Sequence, residues 1–194
     1  MVSPIQVVEI LPVRWNYRIF VIGCLRAYLL VCLSSSLAEA ASLNSSFRTV
    51  LGDNEAQPFQ LENIVGDVRS LTDYRGYSLI VNFWATWCSP CLDEFPALQA
   101  FVSEFADSGI KLVAINVGED VVTIEKFLQS LEGTVEFEIL MDPNMRVVEA
   151  WSVKGIPTTY LINRKGFLVD VAEGGVDFGN PEIKSRIRKA LDIY

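Results

Sequence analysis

The chain has 194 residues, 51% of them apolar, with 24 acidic against 16 basic side chains, a net charge of −8 and no histidine. That size and apolar content suit one core-forming domain behind a leader. The acidic balance argues against nucleic acid or anionic lipid as a partner, and the lack of histidine removes the commonest metal ligand.

Arg14, Arg18 and Arg26 precede the apolar run 27–33, and Ala38-Glu39-Ala40 follows. A basic region, a short apolar stretch and an A-x-A site read as a secretory signal over 1–40, cut after Ala40. An uncleaved membrane anchor over 19–37 is the alternative, and it would bury Arg26 at a cost of about 2.5–3.5 kcal/mol. Val21-Ile22-Gly23-Cys24 loosely matches a lipid-attachment site, but only Ile19-Phe20 separates it from Arg18. Removing 1–40 would take Cys24 and Cys32 and leave no disulfide framework around the remaining pair. Residues 41–55 are polar and small and read as a flexible tether, which leaves 56–194 as the folded domain.

Segments 59–61 and 68–71 read as a short hairpin around Gly66-Asp67. The run 78–84 is β-branched and aromatic, a buried central strand. Beyond it, Cys91, Phe95, Leu98, Val102 and Phe105 recur at helical spacing, one face of an amphipathic helix. A strand over 111–117 follows, then a helix over 121–131 with Val121, Ile124, Phe127, Leu128 and Leu131 inward. Next come a strand over 137–140, a short helix over 144–151 and a hairpin of 158–162 with 167–172. A last helix starts near Pro181, where proline suits the first turn. Its residues Lys184, Arg186, Arg188 and Lys189 read as a solvated basic face.

Trp87-Cys88-Ser89-Pro90-Cys91 falls where the central strand gives way to its helix. Cys88 thus sits at a helix N-terminus, where unpaired N–H groups favour a thiolate, and Cys91 lies one turn on. A zinc site needs about four ligands, and there is no second C-x-x-C. A purely structural disulfide stabilises most when it closes a long loop, and this pair would close almost none. The spacing describes a dithiol that opens and closes.

The run from Asn82 to Cys91, with Glu94-Phe95-Pro96, resembles the thioredoxin superfamily, specifically its TlpA/ResA-like extracytoplasmic branch. Leu71-Thr72-Asp73-Tyr74-Arg75-Gly76 upstream and Gly155-Ile156-Pro157-Thr158-Thr159 downstream, followed by Gly166, extend the resemblance over about 55–192. It implies an α/β thioredoxin fold: a mixed sheet flanked by helices, with an N-terminal hairpin and a central insertion. It also implies a cis peptide bond at Pro157 facing the disulfide, with the backbone of Ile156 free to pair with an extended substrate. Cys88 is then the exposed nucleophile and Cys91 the resolving thiol, while Trp87 shields the thiol face.

The resemblance would place a buried aspartate at position 82, where this chain has Asn82. Glu94 shares a helix side with Cys91 and reads either as a solvated surface carboxylate or, as the resemblance implies, as a group near the cysteines. An acidic neighbour and an uncharged Ser89-Pro90 both stabilise a thiolate little, which points to a reductant. The resemblance implies an extracytoplasmic protein disulfide reductase, periplasmic or facing the periplasm from the inner membrane. Apocytochrome c is the expected substrate, and a membrane dithiol donor of CcdA/DsbD type restores the thiols. No cofactor, metal or nucleic acid is expected, and the domain is expected to act as a monomer.

Two rivals share the fold. A peroxidase would need threonine three residues before its cysteine, where Ala85 stands. A copper-binding or oxidase-assembly module would need histidine or methionine with its cysteines, and only Met141 and Met145 follow the leader.

Overall fold

The computed structural model describes residues 47–52, 54–131 and 134–193. The signal and anchor readings of 1–40 lie outside them. The strands are β1 (Arg48–Thr49), β2 (Gln60–Asn63), β3 (Val68–Ser70), β4 (Ser78–Trp84), β5 (Ile110–Val117), β6 (Glu138–Asp142), β7 (Thr158–Ile162) and β8 (Leu168–Glu173). The helices are α1 (Ser89–Glu104), α2 (Val121–Ser130), α3 (Arg146–Ala150) and α4 (Pro181–Ala190). All strands join one sheet in the order β1-β8-β7-β4-β5-β6-β2-β3. β4, β5 and β6 run parallel, and the other neighbours pair antiparallel.

Every residue of β4 is buried, so the strand needs a layer on each face and a neighbour on each edge. Alternation along it divides the core. Leu79, Val81 and Phe83 pack with Phe59, Val147, Trp151 and Tyr160 on one face. Ile80 packs on the other face with Leu98 and Phe101 of α1 and Ile187 of α4. Trp84, on that same face, packs with Phe95 of α1 and Ile124 of α2. Three helices therefore cover one face, and α3 with the chain around Phe59 covers the other.

The expected elements form within a residue or two of their predicted bounds, and the mixed sheet with its N-terminal hairpin stands. The hairpin extends the sheet beyond β6, held by Glu138. That carboxylate accepts from Tyr74 Oη (2.5 Å), Arg69 Nε (2.7 Å) and Asn63 Nδ2 (3.3 Å).

Two readings change. The segment expected as a tether is, from residue 47, part of the fold. Phe47 is buried with Phe101 and Phe178, and β1 pairs with β8 at the sheet edge. A two-residue strand carries no periodicity, so only its burial reveals it. The basic face of α4 is also less solvated than expected. Arg186 Nε donates to the buried carboxylate of Asp170 (2.9 Å), Lys184 pairs with Glu104, and the Arg188 guanidinium lies 5.7 Å from the Phe105 ring centroid. Among the described residues, no helix is long and apolar enough to cross a membrane.

Candidate active site

Ala85-Thr86-Trp87 carries the chain from β4 into α1. The Cys88 N–H donates to Ala85 O (3.2 Å), and Cys88 O accepts from the N–H groups of Cys91 (3.0 Å) and Leu92 (3.2 Å). Cys88 is the N-cap residue, in extended conformation, with Pro90 in the first turn. Proline lacks an N–H that would have had no intrahelical partner there. Cys88 and Cys91 form a disulfide. Cys88 is the more exposed of the two, as expected, but only 5% of it is accessible against 1% for Cys91. The disulfide packs among Trp84, Ala85, Phe95 and Ile124, so an incoming group has a narrow approach.

Ile156–Pro157 is a cis peptide bond. Pro157 is buried, its carbonyl accepts from Gly174 N (2.8 Å), and Thr158 Oγ1 donates to Gly155 O (2.7 Å). Half-buried Ile156 packs against the cluster that contains both cysteines, which sets this loop beside the disulfide. Trp87 stands apart from that cluster, 69% exposed, whereas Trp84 is wholly buried. Of the two tryptophans flanking the turn, only Trp84 is a core aromatic.

Glu94 is not a solvated helix carboxylate. It is 6% exposed, while its neighbour Asp93 faces solvent. Its Oε1 accepts from Asn82 Nδ2 (2.9 Å) and its Oε2 from the Val176 N–H (2.8 Å). Asn82 also donates to Thr159 Oγ1 (3.0 Å), so the side chain that replaces the expected aspartate links β4, α1 and β7. Burial pushes the Glu94 carboxyl up to about 7, against the opposing pull of the Val176 and Asn82 hydrogen bonds. This carboxyl can hold or release a proton near neutrality.

Sequence reasoning missed Glu119. Its Oε2 accepts from the Thr86 N–H (2.8 Å) and Asn116 Nδ2 (2.7 Å), and its Oε1 from Thr86 Oγ1 (2.5 Å). The carboxylate ties the turn ahead of Cys88 to the end of β5. The available signal was Asn116, a polar residue within the apolar run that follows Lys111 in β5. The same bonds commit the Thr86 hydroxyl to Glu119, and Ala85 carries no hydroxyl, which tells against the peroxidase arrangement.

A thioredoxin-like sheet with a two-cysteine disulfide at the start of its first long helix defines a thiol-disulfide oxidoreductase. The AhpC/TSA family model matches residues 53–171, and the chain belongs to that family. The thiol-disulfide oxidoreductase ResA of Bacillus subtilis (strain 168) is 37% identical over 121 residues, 62% of this chain and 66% of that protein. ResA of Geobacillus thermodenitrificans is 32% identical over 152 residues, 77% of this chain and 86% of its own length. Among solved structures, StoA from Bacillus subtilis matches with a TM-score of 0.57 and 26% identity, covering 67% of this chain and 96% of that one. A thiol:disulfide interchange protein of the thioredoxin family from Chlorobium tepidum matches with a TM-score of 0.61 and 26% identity, covering 72% and 97%.

The raised Glu94 carboxyl has a signed effect on stability. Its ordinary value is 4.5 and its folded value about 7, so the folded protein binds more protons between those limits. Stability from this group is fully present below pH 4.5 and falls as pH rises to 7, by on the order of 3 kcal/mol in all. Urea unfolding of oxidised wild type and Glu94→Gln should therefore show the difference shifting in the variant's favour between pH 4.5 and 8. A pH-independent difference would mean that Glu94 titrates like a free carboxylate.

Proposed function

We propose that this thiol-disulfide oxidoreductase reduces disulfides of specific proteins outside the cytoplasm, with Cys88 as nucleophile and Cys91 as resolving thiol. The observation that carries this reading is the Cys88–Cys91 pair at the start of α1 with the cis-Pro157 loop packed against the same cluster. The Cys88 thiolate attacks one sulfur of the substrate disulfide. A Cys88–substrate bond forms, and the second substrate sulfur leaves as a thiolate that takes a proton. Cys91 then gives up its proton and attacks Cys88, releasing the first substrate sulfur. Two electrons pass to the substrate, and the Cys88–Cys91 disulfide is left behind.

Asn82 cannot accept the Cys91 proton. Glu94, one turn further along α1 and poised near 7, is the group assigned to it. Trp87 and the Ile156–Pro157 backbone are assigned to substrate contact, since exposed Trp87 adjoins Cys88 in the chain and Ile156 packs against the cluster that holds the disulfide. The resemblance to the TlpA/ResA-like branch supports apocytochrome c cysteines as substrate, a CcdA/DsbD-type membrane donor as electron source, and a signal or anchor in 1–40.

Three measurements test this. Cys91→Ala should accumulate mixed disulfides on Cys88 that mass spectrometry can identify, whereas Cys88→Ser should trap nothing. If iodoacetamide alkylates Cys91 before Cys88 in the reduced protein, the two roles are reversed. The reduction potential should lie nearer about −270 mV than about −120 mV, because Ser89-Pro90 carries no charge and Glu94 opposes a thiolate. A value above about −180 mV in glutathione equilibration overturns the reductant reading. Finally, Glu94→Gln should lower the apparent thiol pKa in alkylation-rate profiles and slow resolution, while Asp93→Asn does neither. Superimposable profiles for wild type and Glu94→Gln would remove Glu94 from proton transfer.

A further inference from the structure

Seven large apolar side chains remain exposed among the described residues, and three of them share one end of the sheet. Trp87 (69% exposed) follows β4, Val122 (51%) lies in the first turn of α2 just after β5, and Met145 (53%) follows β6. β4, β5 and β6 are neighbouring parallel strands, so their carboxyl ends lie side by side, at the end of the sheet where the disulfide sits.

Hydrogen bonds and a close approach tie together the turns that carry Trp87 and Met145. Thr86, next to Trp87, is bonded through its N–H and its hydroxyl to Glu119. Gly118, next to Glu119, faces Met145, whose Cγ and Sδ lie 3.9 and 4.0 Å from where a β-carbon on Gly118 would stand. The Gly118 and Met145 N–H groups both donate to Asp142 O (3.1 Å each). Met145 has a φ of 55°, in the left-handed region that a side chain disfavours. Its backbone is held there by the turn that starts at Asp142, whose buried carboxylate accepts from the N–H groups of Arg146, Val147 and Val148. The Met145 side chain rests on Gly118, yet about half of it stays in solvent on a backbone conformation that disfavours a side chain. Methionine is also the side chain that best adapts to varied apolar partners.

We propose that the strip from Trp87 through Val122 and Met145 receives apolar side chains flanking one side of the substrate cysteine. The enzyme then selects unfolded polypeptide segments with an apolar flank on one side. This inference rests on the reductase reading above. A disulfide-bearing polypeptide is the occupant because the row begins at Trp87, next to Cys88 in the chain and at the same end of the sheet, where a second disulfide must arrive for exchange. Cys88 is only 5% exposed, so the incoming sulfur must be steered, and a small disulfide has no side chains to reach Met145. A folded substrate keeps its apolar side chains inside, whereas an unfolded segment presents them. The net charge of −8, with exposed Asp120 and half-exposed Glu119 along the strip, disfavours an acidic flank. Sidedness follows from the geometry, since the cis-Pro157 loop on β7 bounds the site on the opposite edge of β4.

The test uses the reduced full chain and synthetic peptides closed by a Cys-x-x-Cys disulfide. Leu-Phe-Leu is placed before the pair, after it, or replaced by Glu-Ser-Glu. The readout is the rate constant for each peptide divided by that for glutathione disulfide. Wild type should favour one of the two apolar-flanked peptides over the acidic one by about tenfold or more, the scale of one buried apolar side chain. Met145→Ser combined with Val122→Ser should remove most of that preference for the same peptide. Ratios unchanged by the double variant, or equal for all three peptides, overturn the proposal while leaving the reductase reading intact. Failure to reduce glutathione disulfide and every peptide overturns both.

Discussion

β4 is buried on both faces and paired on both edges, and this constraint organises the site. A strand so enclosed can present chemistry only where it ends. At its carboxyl end the chain must turn within Ala85-Thr86-Trp87, and the next residue is Cys88 at the mouth of α1. The turn is short and its N–H groups need partners, which Ala85 O and Glu119 supply. The dithiol therefore sits at a helix N-terminus because of how the core is layered. The electrostatic benefit to a thiolate comes with that placement.

The same enclosure explains Asn82 and Glu94. A polar side chain in the middle of β4 must be satisfied within the protein, because no water reaches it. Asn82 meets that need by donating to Glu94 and Thr159, and Glu94 is completed by the Val176 N–H. No cation faces the carboxylate in this set of bonds, so burial outweighs the hydrogen bonds and the proton is held to about 7. An aspartate at position 82 would have placed two carboxyls in one buried pocket. With asparagine there, only one remains, and it sits on the helix that carries both cysteines.

Much of this was legible in the sequence because it rests on local pattern. The apolar run 78–84, the helical spacing from Cys91 to Phe105 and the Pro181 start each encode their element directly. The cis-Pro157 expectation came from the resemblance, and the Ile156–Pro157 bond bears it out. Less legible were features made by residues far apart in the chain. Phe47 and β1 are ordered only by packing against Phe101 and pairing with β8. Glu119 gains its meaning from Thr86, 33 residues earlier. The burial of Glu94 depends on Val176, 82 residues later, which is why two readings of it stayed open.

The two edges of β4 give the site unlike sides. Toward β7 the chain offers a rigid backbone surface, with the Pro157 carbonyl already bonded to Gly174 and Ile156 packed against the disulfide cluster. Toward β5 and β6 it offers side chains on turns, pinned by Glu119 and Asp142 yet left in solvent. Backbone pairing with an extended segment is indifferent to sequence, whereas apolar contact with exposed tryptophan and methionine is not. On the proposed reading, backbone pairing and side-chain selectivity fall on different neighbours of one strand. The strip on the β5 and β6 side can then change its preference without disturbing the Asn82–Glu94 bond or the helix that holds the dithiol.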